Sequence, residues 1–258
     1  MAAPQNDKTT LIAFTLDFET GGLNCQTSAC TQISIHATRL DTFEKLGSYT
    51  NYIYPYDQKE IDGVGGKRKT LRLKFDQLDK TPMEYTDKAL EYSAITMDML
   101  YSKGLPIEQV AKDVLQFIID MTPKCAKNAK PFLIGQNIGF DEGFFCQLME
   151  YGGLMDEVKK VLRGQEDLYG HWHPLCLDTI TIGQLALCHL PNINSYKLEI
   201  MCERLGIELD DAHDADADVS ATTNVVAVLT QRMRNTDGGE GNNLQMAKAE
   251  KSRKHFKI

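Results

Sequence analysis

The sequence predicts one mixed α/β domain, a β-sheet flanked by helices. Three observations predict it. The first is a trio of strand-like runs near the start, beginning with an apolar stretch over 11–18. The second is a later alternation of helix-period segments with short apolar runs at 132–134 and 175–178. The third is the order itself: strands first, then helices and strands in turn, which points to a single sheet covered by helices.

The first run carries the most chemistry. Leu11, Ile12, Ala13 and Phe14 lead into Asp17, Phe18, Glu19, Thr20, Gly21 and Gly22. Side chains alternate along a strand, so Asp17 and Glu19 share a face while Leu16 and Phe18 take the other. Two carboxylates on one face at a strand's end repel unless a cation sits between them. Their oxygens are the hard donors that Mg²⁺ and Mn²⁺ prefer. Gly21 and Gly22 allow a sharp turn and a close approach to the backbone. A strand ending in a polar turn is the plainer reading of the same residues.

Residues 31–38 alternate, with Ile33, Ile35 and Ala37 on one face, and read as the second strand. Residues 45–54, with Tyr49, Tyr52, Ile53 and Tyr54, read as the third, joined to the second by a turn at 41–44. An antiparallel meander is expected. Residues 56–82 are expected to hold an inserted hairpin with a basic outer face, from Leu71, Leu73 and Phe75 alternating with Arg72 and Lys74. Gly65, Gly66 and Lys67 do not make a phosphate loop: the pattern needs a glycine where Ile61 stands and a hydroxyl where Arg68 stands.

Helices are expected over 86–90, 96–101, and from Pro106 with the stripe Ile107, Val110, Val114, Phe117 and Ile118, which is core packing. Further helices are expected at 139–151, 154–162, 179–188, 195–205 (stopped by Gly206) and 214–234. Residues 1–10 read as a flexible lead, 11–234 as the domain, and 235–258 as a polar, disordered tail.

Composition narrows the setting. The 258 residues are 42% hydrophobic and 25% charged, ordinary for a globular protein. No apolar run reaches the roughly 20 residues of a membrane span, and the polar residues 1–10 lead to the expectation of no secretion. Seven cysteines without a C-x-x-C pair read as reduced thiols. A cytoplasmic protein with no membrane partner is expected, with a nuclear location as the alternative for a eukaryotic chain. His171, His173 and Cys176 lack a partner pair with zinc-site spacing. The net charge of −8 requires any nucleic-acid contact to use local basic patches, and residues 67–74 and the tail lysines are two.

Two more acidic sites stand out. Asn137, Phe140 and Asp141 follow the short strand at 132–134, where ligands gather at strand ends in α/β sheets. Asn137 and Asp141 would share a face if both were helical. A helix start enriched in acid is the plainer reading. His213 precedes a helix that carries Asp214, Asp216 and Asp218. Capping explains one or two of these acids but not Asp218, a turn inside the helix. A histidine five residues from a candidate metal ligand is suited to take a proton from water.

Asp17-x-Glu19-Thr20-Gly21-Gly22-Leu23, Asn137-x-x-Phe140-Asp141 and His213-x-Ala215-x-x-Asp218 together resemble the three motifs of the DEDDh-type 3′–5′ exonucleases. That group includes epsilon-type proofreading exonucleases, RNase T and oligoribonuclease. The resemblance covers about residues 10–234. Gln136 stands where many members have His, Ile138 where Ala is usual, and Asp216 at a commonly apolar position.

The resemblance implies a ribonuclease H-like fold and hydrolysis from a single-stranded 3′ end of DNA, or of RNA, by two Mg²⁺ or Mn²⁺ ions. Asp17, Glu19, Asp141 and Asp218 would hold them and His213 would be the base. Phe18 (through its backbone), Thr20, Leu23, Thr96, Asn137 and Phe140 would bind substrate, with Leu23 as a wedge and Thr96 in the base pocket. A DNA polymerase is a compatible partner, as for proofreading subunits. An exoribonuclease, and an idle nucleic-acid- or polymerase-binding subunit, are the alternatives.

Overall fold

The computed structural model describes residues 11–59, 81–123, 130–208 and 215–234. His213, most of the expected basic hairpin and the tail therefore lie outside the described residues.

Three strands open the fold: β1 (Ile12–Thr20), β2 (Cys30–Arg39) and β3 (Lys45–Tyr52). They form the expected antiparallel meander, with Asp17 opposite Ser34 and Ser34 opposite Thr50. Helices α1 (Asp87–Tyr92), α2 (Met97–Lys103) and α3 (Ile107–Met121) follow. Next come β4 (Phe132–Gly135), α4 (Gly139–Gly152), α5 (Met155–Val161), β5 (Gly164–Glu166), β6 (Trp172–Pro174) and β7 (Cys176–Asp178). The last helices are α6 (Thr179–Leu187), α7 (Leu198–Leu205) and α8 (Ala215–Arg234). The main sheet has the order β3-β2-β1-β4-β7, with β4 parallel to β1 and β7 parallel to β4. This is the mixed, helix-flanked sheet of a ribonuclease H-like fold.

Alternation along β1 divides the molecule. Phe14, Leu16 and Phe18 face a core shared with Val110, Val114 and Ile118 of α3 and Phe144, Phe145 and Leu148 of α4. Each such side chain contributes about 1.5–3 kcal/mol by leaving water. Ala13 faces the opposite side, against Ile134 and Val226 of α8. The polar face of β2 is also covered: Gln32, Ser34, His36 and Thr38 are buried. α8 packs along β1 and β2 on that side, so the polar residues of β2 meet a helix instead of water.

Several boundaries differ from expectation. Thr86 and Thr96 stand before their helices as caps, each hydroxyl accepting an N–H three residues on, from Ala89 and Met99. Gly164 does not merely stop α5; it begins a small antiparallel ribbon, β5 with β6. Asn137 is not helical: its φ of 56° is left-handed and α4 begins two residues later. Among the described residues no helix is long and apolar enough to cross a membrane.

Candidate active-site cleft

β1 delivers Asp17 and Glu19 to the α8 side of the sheet. α8 delivers Asp218 from its first turn. One carboxylate oxygen of each lies within 4.8 Å of the others. Unscreened by water, such a pair repels by about 3 kcal/mol at an effective dielectric of 20. A shared cation removes that cost, and three hard oxygen donors suit a divalent ion. Among the described residues this is the only group of histidine, cysteine and acidic side chains spaced to hold a metal. His171 and His173 instead pair with Asp167 and Glu142, so the weak zinc reading of His171, His173 and Cys176 has no cluster behind it.

The start of α8 is held firmly. Asp216 Oδ1 accepts from His36 Nε2 at 2.7 Å and from the hydroxyls of Ser34 and Thr50 at 3.2 Å. Two turns on, Thr223 donates to Thr15 at 3.0 Å. Burial alone would raise the Asp216 carboxyl; the His36 hydrogen bond and the charges of His36 and Lys45 outweigh it and hold it below the usual range. The acid at this commonly apolar position thus ties the helix carrying Asp218 to β2 and β3.

Asp141, in the first turn of α4, is 3% exposed. Its Oδ1 accepts the Phe18 N–H at 3.0 Å. Burial first, and then the charge of Asp17, pushes its carboxyl well above the ordinary range, against the lowering effect of the Phe18 bond. It lines the same cleft as the three clustered acids without belonging to their 4.8 Å group.

That cleft has a volume of about 1030 Å³, at the upper end of the range for ligand sites. Leu23 is on its rim, 88% exposed. Gly21 and Gly22 make this possible: a Cβ at Gly21 would collide with the Glu84 carbonyl, and one at Gly22 with the Ser28 hydroxyl. Thr20 lines the cleft, its hydroxyl donating to the Gly22 carbonyl at 2.8 Å. Asn137 and Phe140 also line it; the Asn137 N–H donates to Asp178 at 3.0 Å, and the Phe140 ring packs 4.9 Å from Phe144.

The Phe18 ring is buried in the core and its N–H is engaged by Asp141, while Phe18 itself is among the residues lining the cleft. Thr96 is an exposed cap of α2 and is not among the residues lining the cleft.

Tyr92, Lys88, Lys197 and Glu199 line the cleft as well, and sequence reasoning did not single them out. Tyr92 ends α1 and is 65% exposed. Its phenol is held above the ordinary value by partial burial, then by the charges of Glu199, Glu19, Asp218 and Asp17, which line the same cleft. Gln136 donates to the Tyr196 carbonyl at 2.8 Å and accepts from Thr179, tying the approach to α7 to the end of β4.

No protein-family model matches the chain. E. coli exonuclease I in complex with a dT13 oligonucleotide superimposes with a TM-score of 0.59 at 19% identity, over 88% of this chain and 43% of that one. The chain has the exonuclease I fold. A zinc-bound form of the E. coli exonuclease I complex with single-stranded DNA gives a TM-score of 0.60 at 18% identity, over 88% and 42% of the two chains. A PolC-type DNA polymerase III of Halalkalibacterium halodurans is 25% identical over 194 residues, 71% of this chain and 11% of the polymerase. The chain therefore spans less than half of each exonuclease I chain and about a tenth of the polymerase. The exonuclease I fold accounts for the mixed sheet, and the acids sit at the end of its central strand β1.

Proposed function

We propose that this chain is a metal-dependent 3′–5′ exonuclease that releases nucleoside 5′-monophosphates from a single-stranded end. One observation carries the reading: Asp17, Glu19 and Asp218, drawn from the two ends of the domain, converge at the end of β1 in an exonuclease I fold. The domain that acts is residues 11–234.

Asp17, Glu19 and Asp218 would hold one divalent ion, and Asp141, in the same cleft, would help hold a second. Mg²⁺ or Mn²⁺ fits this all-oxygen set. Divalent ions held there would lower the pKa of a water and neutralise charge on the leaving oxygen. The chain's own groups do the rest. Lys88 and Lys197 attract the phosphates. Leu23 lies against the last bases, and Phe140 and Asn137 support the strand beside Asp141. His213 takes the proton of the attacking water. The oxygen of that water bonds to phosphorus in line, and the bond from phosphorus to the 3′ oxygen breaks.

DNA is the favoured substrate, because the exonuclease I relative is in complex with dT13 and the sequence relative is a DNA polymerase. The polymerase match also motivates a polymerase partner in proofreading. The test is digestion of 5′-labelled single-stranded DNA, mismatched duplex and RNA, each with Mg²⁺ or EDTA. A ladder shortening from the 3′ end only with Mg²⁺ is expected, fastest on DNA. Faster trimming of RNA reassigns the substrate, and no shortening of any strand removes the activity.

A further inference from the structure

A pair of exposed tyrosines lies beyond the acid cluster, on the same side of the sheet. Glu19 is opposite Gln32, and Gln32 is opposite Tyr52. Directly opposed residues share a face, so Tyr52 lies in the row of Glu19, two strands and about 10 Å away. The chain runs on extended past β3: Ile53 is fully buried in the core on the far side, and its neighbours Tyr52 and Tyr54 therefore turn away from that core. Tyr54 is 42% exposed and Tyr101 of α2 is 55% exposed, and their rings meet edge to face at 5.5 Å. Lys103 sits over the Tyr52 ring at 5.9 Å.

The platform is rigid. Tyr54 N–H donates to the Leu105 carbonyl at 2.8 Å, and Leu105 N–H to the Tyr52 carbonyl at 3.0 Å. A Cβ at Gly104 would strike Tyr54 N and the Leu100 carbonyl, so the end of α2 is seated directly on the extension of β3. Single exposed aromatics are common on protein surfaces. Two in mutual contact, fixed by backbone hydrogen bonds and flanked by a cation, have the composition of a single-strand binding platform: rings for the bases and a positive charge for the phosphates.

We propose that Tyr54, Tyr101 and Lys103 form a stacking subsite for the single-stranded polynucleotide several nucleotides upstream of the bond being cut. The inference rests on the exonuclease reading, since it is that reading that brings a strand's 3′ end to Glu19. Stacking does not read the sugar, so DNA and RNA strands use the same platform.

The test measures fluorescence anisotropy with dT16, rU16 and dT3, each closed by a 3′-terminal phosphorothioate linkage, in Ca²⁺. Y54A/Y101A is expected to weaken dT16 and rU16 about tenfold or more, to leave dT3 unchanged, and to retain the wild-type melting temperature within a few degrees. Y54F/Y101F keeps the rings and is expected to bind as wild type. K103A is expected to lower the salt dependence of dT16 binding by about one phosphate contact. Equal binding of dT16 by wild type and Y54A/Y101A, or equal weakening of dT16 and dT3, overturns the subsite while leaving the nuclease reading standing. Wild-type protein that binds none of the three strands overturns the nuclease reading itself.

Discussion

The backbone N–H of Phe18 donates to the carboxylate of Asp141 across 3.0 Å, joining residues 123 positions apart. Phe18 lies between the two acids of β1, and Asp141 opens α4. One hydrogen bond thus fixes the distance between the acids of the first motif and the acid of the second. It also leaves a carboxylate buried beside Asp17, which burial and the charge of Asp17 make reluctant to ionise.

That reluctance gives a prediction for the metal-free protein. A carboxyl whose pKa is higher folded than unfolded favours the fold while it is protonated. The contribution is complete below the unfolded value of about 3.9 and is lost as pH rises toward the higher folded value. Asp141→Asn keeps an oxygen for the Phe18 N–H and carries no charge. In EDTA it is expected to melt above wild type at pH 7.5 and close to wild type at pH 4. Mg²⁺ should raise the wild-type midpoint more than that of the variant. Calorimetry at the two pH values checks this; a lower midpoint for the variant at pH 7.5 in EDTA would count against it.

Asp17→Asn and Asp218→Asn each remove one charge from the cluster within 4.8 Å. Each is expected to cut the rate of 3′-end digestion about a thousandfold or more, with the far-ultraviolet circular dichroism of wild type. Single-turnover digestion measures it. Wild-type rates in either variant would remove that residue from the chemistry.

Asp216 anchors rather than reacts. Asp216→Ala takes the acceptor from His36, Ser34 and Thr50 and is expected to cost about 1–3 kcal/mol of stability. It should also weaken Mn²⁺ binding, because the first turn of α8 is no longer tied to the sheet. Asp216→Asn keeps an oxygen and should lose less of both. Urea denaturation and Mn²⁺ titration read the two effects separately.

Leu23 is nearly fully exposed on the cleft rim. Leu23→Ser is expected to change stability by less than about 0.5 kcal/mol and to raise KM for single-stranded ends several-fold. An unchanged KM would remove the wedge role.

Much of this site is written locally in the chain. Alternation along β1 was enough to put Asp17 and Glu19 on one face, because a strand's period depends on nothing distant. The helices carrying Asp141 and Asp218 followed from periodicity and position. Tyr92, Lys197 and Glu199 were not legible: they reach the cleft only through the docking of α1 and α7. The anchoring by Asp216 was half visible. Ser34 and His36 marked a polar face on β2, yet nothing local says that a helix from the far end of the domain covers it. Thr96 is legible as a cap, a threonine placed just before a helix and accepting the Met99 N–H.

The central claim is that Asp17, Glu19, Asp218 and Asp141 gather hard cations at the end of β1. Anomalous diffraction from crystals soaked in Mn²⁺ tests it directly. The account predicts a peak among Asp17, Glu19 and Asp218, a second between Asp17 and Asp141, and loss of both in Asp17→Asn. Carboxylates turned apart with no peak between them at saturating Mn²⁺ would contradict it.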